Sequence, residues 1–392
     1  MDVQEAKQRA ADSIDAHRSL LLEVSHSIHA HPEENYAEHH AHAVLTGALE
    51  DLGFDVNRGA YGMPTAFEAT AGSRGPTIAV FCEYDALPGI GHACGHNIIA
   101  AAGLGAALGA AAVAEELNGR LVVLGSPAEE GGGGKVFMID RGALTDIDAA
   151  MMIHPADVDL RWMTTIAVQQ LRVIWHGQSA HAAAHPWDGR NALDAAVLGY
   201  MNVAALRQHI RPEERIHGVF TNGGDKPNIV PATAAMHWFI RAADLSRLEA
   251  LKPRVLAALT AGGDATGCSV DYEWIEPAYA DLLRNDAFES LYAANSAALG
   301  REVREPGPQG AVIGSTDMGN VSHLVPSIHP MVSVAPSGVG IHTPGFAEFA
   351  ASPTGDAGVI DGAKAMAMTI IDLWSSADSL ESVANDFHAS KR

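Results

Sequence analysis

Cys94 and His96, separated only by Gly95, set a thiol beside an imidazole, and Glu83, Asp85 and His92 stand a short way upstream. Soft and borderline donors this close together suit a transition ion, most simply zinc, with manganese or cobalt as alternatives. A C-x-H triplet alone is a weak signal, and two further stretches give it weight. Glu129-Glu130 opens a glycine run, Gly131 to Gly134, that closes on Lys135. At such a turn both carboxylates can reach one cavity, so that one binds metal while the other takes a proton from the attacking water. A phosphate-loop reading of the same glycines fails, because Val136 stands where Ser or Thr is needed and the two acids would repel phosphate. The third stretch is His154-Pro155.

The elements that must position these residues are strands. Apolar runs over 77–82, 120–125 and 148–153 read as buried strands, each followed at its C-terminal end by one of the three donor groups. Open α/β sheets put their chemistry at those ends, and three consecutive strand ends carrying Cys/His, Glu/Glu and His are hard to assign to packing. An Ala/Gly-rich helix follows from about Asn97; its apolar stretch over 98–114 is too short for a membrane span and ends in Glu115-Glu116. Helical spacing also runs over 3–30 and 37–52, where His26, His29, His31, His39, His40 and His42 read as a solvated face.

Past residue 164 the pattern changes to strand 168–175, helix 191–208, strands 216–221 and 234–242, helix 245–259 and strand 269–276. That is the order of a ferredoxin-like domain, inserted into the first. The chain returns through a helix over 287–299, a Pro/Gly loop at Pro306-Gly307-Pro308, the loop Ser315-Thr316-Asp317 and a strand over 331–334 to Gly340-Ile341-His342-Thr343-Pro344-Gly345. It closes with a helix over 358–375 and a frayed end.

Composition bounds the function. The 392 residues are 47% apolar and 18% charged, which is globular and long enough for two domains. Lys plus Arg number 25 against 47 Asp plus Glu, a formal charge of −22, so neither nucleic acid nor an anionic membrane is expected as a partner. A charged N-terminus unlike a signal peptide and only three cysteines point to the cytoplasm.

Taken as an ordered set, several blocks resemble the M20 family of metallopeptidases and amidohydrolases, and within it the aminobenzoyl-glutamate hydrolase branch. They are Glu83-Tyr84-Asp85-Ala86-Leu87-Pro88, His92-Ala93-Cys94-Gly95-His96-Asn97, Pro127-Ala128-Glu129-Glu130-Gly131-Gly132, Gly177-Gln178-Ser179-Ala180-His181-Ala182, Pro186-Trp187-Asp188-Gly189-Arg190-Asn191-Ala192-Leu193 and Pro227-Asn228-Ile229-Val230-Pro231. The resemblance covers essentially the whole chain. It implies an α/β fold, with a mixed-sheet zinc-peptidase-like catalytic domain over 1–165 and 281–392 and an inserted ferredoxin-like α+β lid and dimerisation domain over 166–280.

By that resemblance Cys94, His96, Glu130, His154 and His342 hold two divalent ions, zinc or manganese. Asp85 orients a ligand imidazole, and Glu129 is the general base that later protonates the leaving amine. Glu83 stands where distant relatives place a ligating His, so it either touches metal or supports it. Asn97 replaces the Asp of auxin-conjugate hydrolases, which favours the aminobenzoyl-glutamate branch. In the insert, His181 stabilises the oxyanion from the partner subunit of a homodimer, Asn228 is a second polar contact, and Arg241, read as an edge-strand arginine, binds a substrate carboxylate. The implied reaction is hydrolysis of the amide bond in a small N-acyl amino acid. A dipeptidase acting on β-alanyl or other basic dipeptides would use the same site, and a non-catalytic member of a hetero-oligomer would keep the fold. A zinc nucleobase deaminase would need a P-C-x-x-C motif, which is absent.

Overall fold

Strand Thr77–Glu83 is buried along its whole length, as its unbroken apolar run requires, and pairs in parallel with Arg120–Ser126 on one side and Ala149–Met151 on the other. In the computed structural model, which describes residues 1–307 and 313–391, these three strands are the middle of a six-stranded sheet. Its order is Asp55–Arg58, Phe67–Ala71, Arg120–Ser126, Thr77–Glu83, Ala149–Met151, Ser327–Ile328. The first two strands run antiparallel to their neighbours and Ser327–Ile328 runs parallel, so the sheet is mixed. Pro308 of the expected Pro/Gly loop lies outside the described residues.

The Ala/Gly-rich helix His96–Ala111 is buried on nearly every side. Gly103 lets it approach the sheet, since a Cβ there would stand 2.5 Å from Cys82 Sγ. Gly105 does the same toward the long helix Pro353–Ser375, where a Cβ would meet Ala363 Cβ at 2.7 Å. Its apolar length is therefore core, and no helix among the described residues is long and apolar enough to cross a membrane.

Three expectations change. The 3–30 region is two helices, Val3–Ala16 and Arg18–Ala30, broken at His17. The third strand stops at Met151, and His154 opens a separate short strand, His154–Ala156, which pairs with Met331–Ser333. The C-terminal end is not frayed: Ser376 caps a helix over Ala377–Ser390 that buries Val383 and Phe387, and Asn285 Nδ2 donates to the Val383 carbonyl at 2.8 Å.

The chain divides into two units, Met1–Thr164 with Leu282–Arg392, and Thr165–Asp281. The second is a four-stranded antiparallel sheet in the order Ser269–Tyr279, Ala167–His176, Thr233–Ala242, Arg215–Asn222. Strand Thr233–Ala242 alternates half-buried and buried residues, and its inward side, with Met236 and Trp238, packs under helices Ala192–Leu206 and Leu245–Thr266. Both helices start on side-chain caps, Asn191 to the amides of Leu193 and Asp194, and Asp244 to that of Arg247.

Candidate metal centre

The sheet delivers the donors. Past Glu83 the chain turns through Asp85 to Gly95, left-handed at φ 77°, which precedes the helix carrying His96. A Cβ at position 95 would lie 2.5 Å from Pro155 Cγ, so only glycine lets this loop press against the strand end of His154. His96 Nδ1 donates to Asp85 Oδ1 at 3.0 Å. That bond turns His96 Nε2 inward, where it is buried without a hydrogen-bond partner, 3.6 Å from Glu83 Oε2 and 3.8 Å from Glu130 Oε1. His154 Nδ1 donates to the Pro155 carbonyl, and its Nε2 lies 3.4 Å from Cys94 Sγ. His342, at the left-handed φ of 63°, is held by its amide to the Ala93 carbonyl and brings Nε2 to 3.3 Å from Glu130 Oε1.

Three overlapping donor groups result: Cys94, His96 and His154; Cys94, Glu130 and His342; Glu83, His96 and Glu129, with the atoms of each within 4.8 Å of one another. Donors bonded to one ion at about 2.0–2.3 Å stand on the order of 3.3–3.8 Å apart. The orphaned, buried His96 Nε2, Glu83 Oε2 and Glu130 Oε1 are what such ions would satisfy, so these residues fit a divalent metal centre. All five expected ligands meet here. Asp85 bonds His96 through Oδ1, and its second oxygen, Oδ2, accepts the Glu130 amide at 2.9 Å.

The electrostatics separate the two glutamates. Burial, then the charges of Glu83, Glu130 and Asp317, pushes the Glu129 carboxyl well up. Burial acts the same way on Glu130, but His342 beside it and the charge of His96 outweigh it and leave the carboxyl below its usual value. Environments that drive two neighbouring carboxyls apart suit one to carry a proton and the other to stay ionised. Burial, then the charge of Glu130, pushes the Cys94 thiol well up, so a bound cation is what would keep it a thiolate. Burial, then His96, lowers His154 to about 4, leaving the neutral ring that ligation requires.

One further group was not read from sequence. Lys135 is fully buried; its Nζ donates to Glu83 Oε1 and, at 2.6 Å, to Asp317 Oδ1, while its amide donates to Asp317 Oδ2 at 3.0 Å. Burial opposes its charge, but Asp317 and Glu83 outweigh that and raise its proton affinity. The lysine at the end of the glycine run thus neutralises acids of the site. The available signal was a lone Lys closing an acid-led glycine run; Asp317, in a loop far along the chain, gave none.

Asn97 is buried and ties helices together, donating to Ser25 Oγ and the Ala350 carbonyl, both at 2.9 Å. The six N-terminal histidines are exposed or half-buried, and none joins a donor group among the described residues. In the inserted unit, His181 is exposed, and its Nδ1 accepts the amides of Ala183 and Ala184 at 3.2 Å each, which puts the ring proton on Nε2. The Asn228 carbonyl accepts the Ala182 amide at 3.1 Å, so the segments carrying His181 and Asn228 are neighbours. Arg241 is not on an edge strand: it pairs with Val168 on one side and Arg215 on the other, with its guanidinium 5.6 Å from the Phe239 ring centre.

The model of "Peptidase family M20/M25/M40" matches residues 79–370. The Xaa-Arg dipeptidase of Mus musculus is 39% identical over 396 residues, 97% of this chain and 92% of the relative. A subunit of the p-aminobenzoyl-glutamate hydrolase of Escherichia coli (strain K12) is 33% identical over 317 residues, 75% of this chain and 66% of the relative. Among solved structures, a dinuclear metal-binding M20 peptidase from Bacillus subtilis superposes with TM-score 0.71 at 17% identity, covering 92% of this chain and 99% of its own. With a family match across most of the chain and donors that converge as that family's chemistry demands, this protein belongs to peptidase family M20/M25/M40 and is a metal-dependent amidohydrolase or peptidase.

Proposed function

We propose that this chain cleaves the amide bond of a small aminoacyl amino acid, with a dipeptide of Xaa-Arg type first among its substrates. The observation that carries the reaction is the convergence of Cys94, His96, Glu130, His154 and His342 beside Glu129, whose proton affinity burial raises. The substrate class rests on the likeness to the Xaa-Arg dipeptidase, which extends over 97% of this chain. Two divalent ions, zinc or manganese, would polarise the scissile carbonyl and acidify the attacking water. Glu129 takes that water's proton and returns it to the leaving amine; its raised proton affinity suits a group that must hold a proton between the two steps. Glu83, with one oxygen on Lys135, supports the centre from behind.

An aminobenzoyl-glutamate substrate is the second reading, favoured by the 33% identity to the p-aminobenzoyl-glutamate hydrolase chain. An inert partner subunit is disfavoured, because the base and all five ligands are present together.

The inserted unit is read as a ferredoxin-like lid, a reading its antiparallel strand order supports. The Nε2–H of His181 suits it to stabilise an oxyanion in the partner subunit's site, with Asn228 and Arg241 as substrate contacts. Exposed Val197, Leu198 and Met201 on helix Ala192–Leu206, with Val219 and Phe220 on edge strand Arg215–Asn222, support a homodimer through this unit. Cys82, Cys94 and Cys268 are all unpaired, in keeping with a cytoplasmic location.

The test is amine release from Xaa-Arg and Xaa-Lys dipeptides, p-aminobenzoyl-glutamate and N-acetyl amino acids, with zinc or manganese, beside a chelated sample. Metal-dependent release from the basic dipeptides supports the first reading, and release from p-aminobenzoyl-glutamate alone replaces it with the second. Silence from protein carrying two ions per chain would defeat both.

A further inference from the structure

The turn that carries Glu129 is held from outside the metal centre. Ala128, the residue before it, has φ 58°, a left-handed conformation that side chains with a Cβ avoid. Its amide donates to Glu38 Oε1 at 2.9 Å. The same oxygen accepts the amide of Tyr36 at 2.8 Å, itself left-handed at φ 62°, and Glu38 Oε2 accepts the Thr65 hydroxyl at 2.9 Å. On the other side of the turn the Tyr36 hydroxyl donates to the Gly132 carbonyl at 2.5 Å. No side chain fits at Gly132, where a Cβ would lie 2.6 Å from Ala128 Cβ and 2.7 Å from Tyr36 Cε2.

Glu38 is fully buried, and a buried carboxyl is tolerated only when its oxygens are satisfied. Capping helix His39–Asp51 does not account for it. Its side chain makes no cap bond, and Glu33 serves that helix instead by accepting the amides of His40 and Ala41. What Glu38 does accept are the amides of two residues in strained backbone, one of them next to the proton carrier. Glu130, on the same turn, has its own anchor in Asp85 Oδ2.

We propose that Glu38 is a positioning residue, which through the Ala128 amide fixes the turn so that the Glu129 carboxylate stays with the donor group of Glu83 and His96. This rests on the reading of Glu129 as the proton carrier. The role needs a reach and an acceptor, not a charge. Glu38→Gln keeps both, with its carbonyl oxygen on the two amides and its NH2 toward Thr65. Glu38→Asp keeps the charge and withdraws the acceptor.

The test compares Glu38→Gln, Glu38→Asp and Glu129→Gln on one amide substrate, reading kcat, KM and bound metal per chain. Glu38→Asp is expected to lower kcat by about 10- to 100-fold, as small misplacements do, with KM and metal content unchanged; Glu38→Gln should remain near wild type. A Gln variant as impaired as the Asp variant, an Asp variant at wild-type kcat, or metal lost in step with rate would each overturn the clamp. If Glu129→Gln turns over normally, the base assignment fails. If Glu129→Gln is inactive while Glu38→Asp matches wild type, the base stands and the clamp falls.

Discussion

Asp85 divides its carboxylate between His96, whose Nδ1 it holds at 3.0 Å, and the amide of Glu130, which it holds at 2.9 Å, so one acid ties together two candidate ligands that lie far apart in sequence. Burial pushes its carboxyl up, but His96, the Glu130 amide and Lys135 outweigh that and keep it ionised. Asp85→Ala should therefore weaken metal binding by about 10- to 100-fold, the usual effect of losing a group behind a ligand. Metal titration against a competing chelator would check this; an unchanged affinity would mean that His96 is oriented by packing alone.

The two neighbouring glutamates should fail differently. Glu129→Gln is expected to retain full metal content and lose about 10²- to 10⁴-fold in kcat, the range of general acid–base catalysis. Glu130→Ala and His342→Ala should lose metal, measured by elemental analysis after dialysis. Full occupancy in either would remove that residue from the ligand set.

Lys135 lies between two buried acids, and Lys135→Met leaves Glu83 and Asp317 facing each other without a cation. Removing one partner of a buried ion pair typically destabilises by about 3–5 kcal/mol. Urea unfolding should show a loss of that order, and adding Asp317→Asn should restore part of it. Equal stability of wild type and Lys135→Met would contradict a stabilising role for these ion pairs.

Glu38 gives stability a defined pH dependence. Burial raises its carboxyl from 4.5 to about 7; its own amide, the Thr65 hydroxyl and the Tyr36 amide pull it back in part, and the charge of Asp85 adds to the rise. The folded state thus binds more protons than the unfolded between those values. Its contribution is fully present below pH 4.5 and is lost as pH rises through 7. The difference in unfolding free energy between wild type and Glu38→Gln, measured from pH 5 to 8, should move against the wild type as pH rises. A flat difference would contradict the shift.

The exposed Met201 and Val219, at 58% and 63%, are expected to be covered by a second copy of the chain. Met201→Asp with Val219→Asp should convert a dimer to a monomer in light scattering, with the metal centre still loaded. A monomeric wild type would refute the dimer directly.

Much of the centre was legible because it is local. Cys94 and His96 share one loop, Glu129 and Glu130 one turn, and each follows an apolar run whose length and continuity mark a buried strand. The helices were legible in kind but less so in their limits. The break at His17 leaves the apolar period almost undisturbed, and the terminal helix, polar on its outer side, is held by Asn285 and by burial of Phe387, which no local pattern records.

By itself, then, the sequence determined which donors exist and that the Cys94/His96 and Glu129/Glu130 groups follow buried strands, since side-chain type and strand period are properties of neighbouring residues. Only the tertiary structure decided which donors meet. Sheet order brings Cys94 to His154, a left-handed backbone swings His342 to Glu130, and the packing of residues 33–38 against the glutamate turn lets Glu38 reach the Ala128 amide. Lys135 shows the same division: its type was visible, but its partner Asp317 lies 182 residues away. Contacts of that separation are set by sheet register and close packing, whose energies are shared across many residues and written in no single stretch of chain.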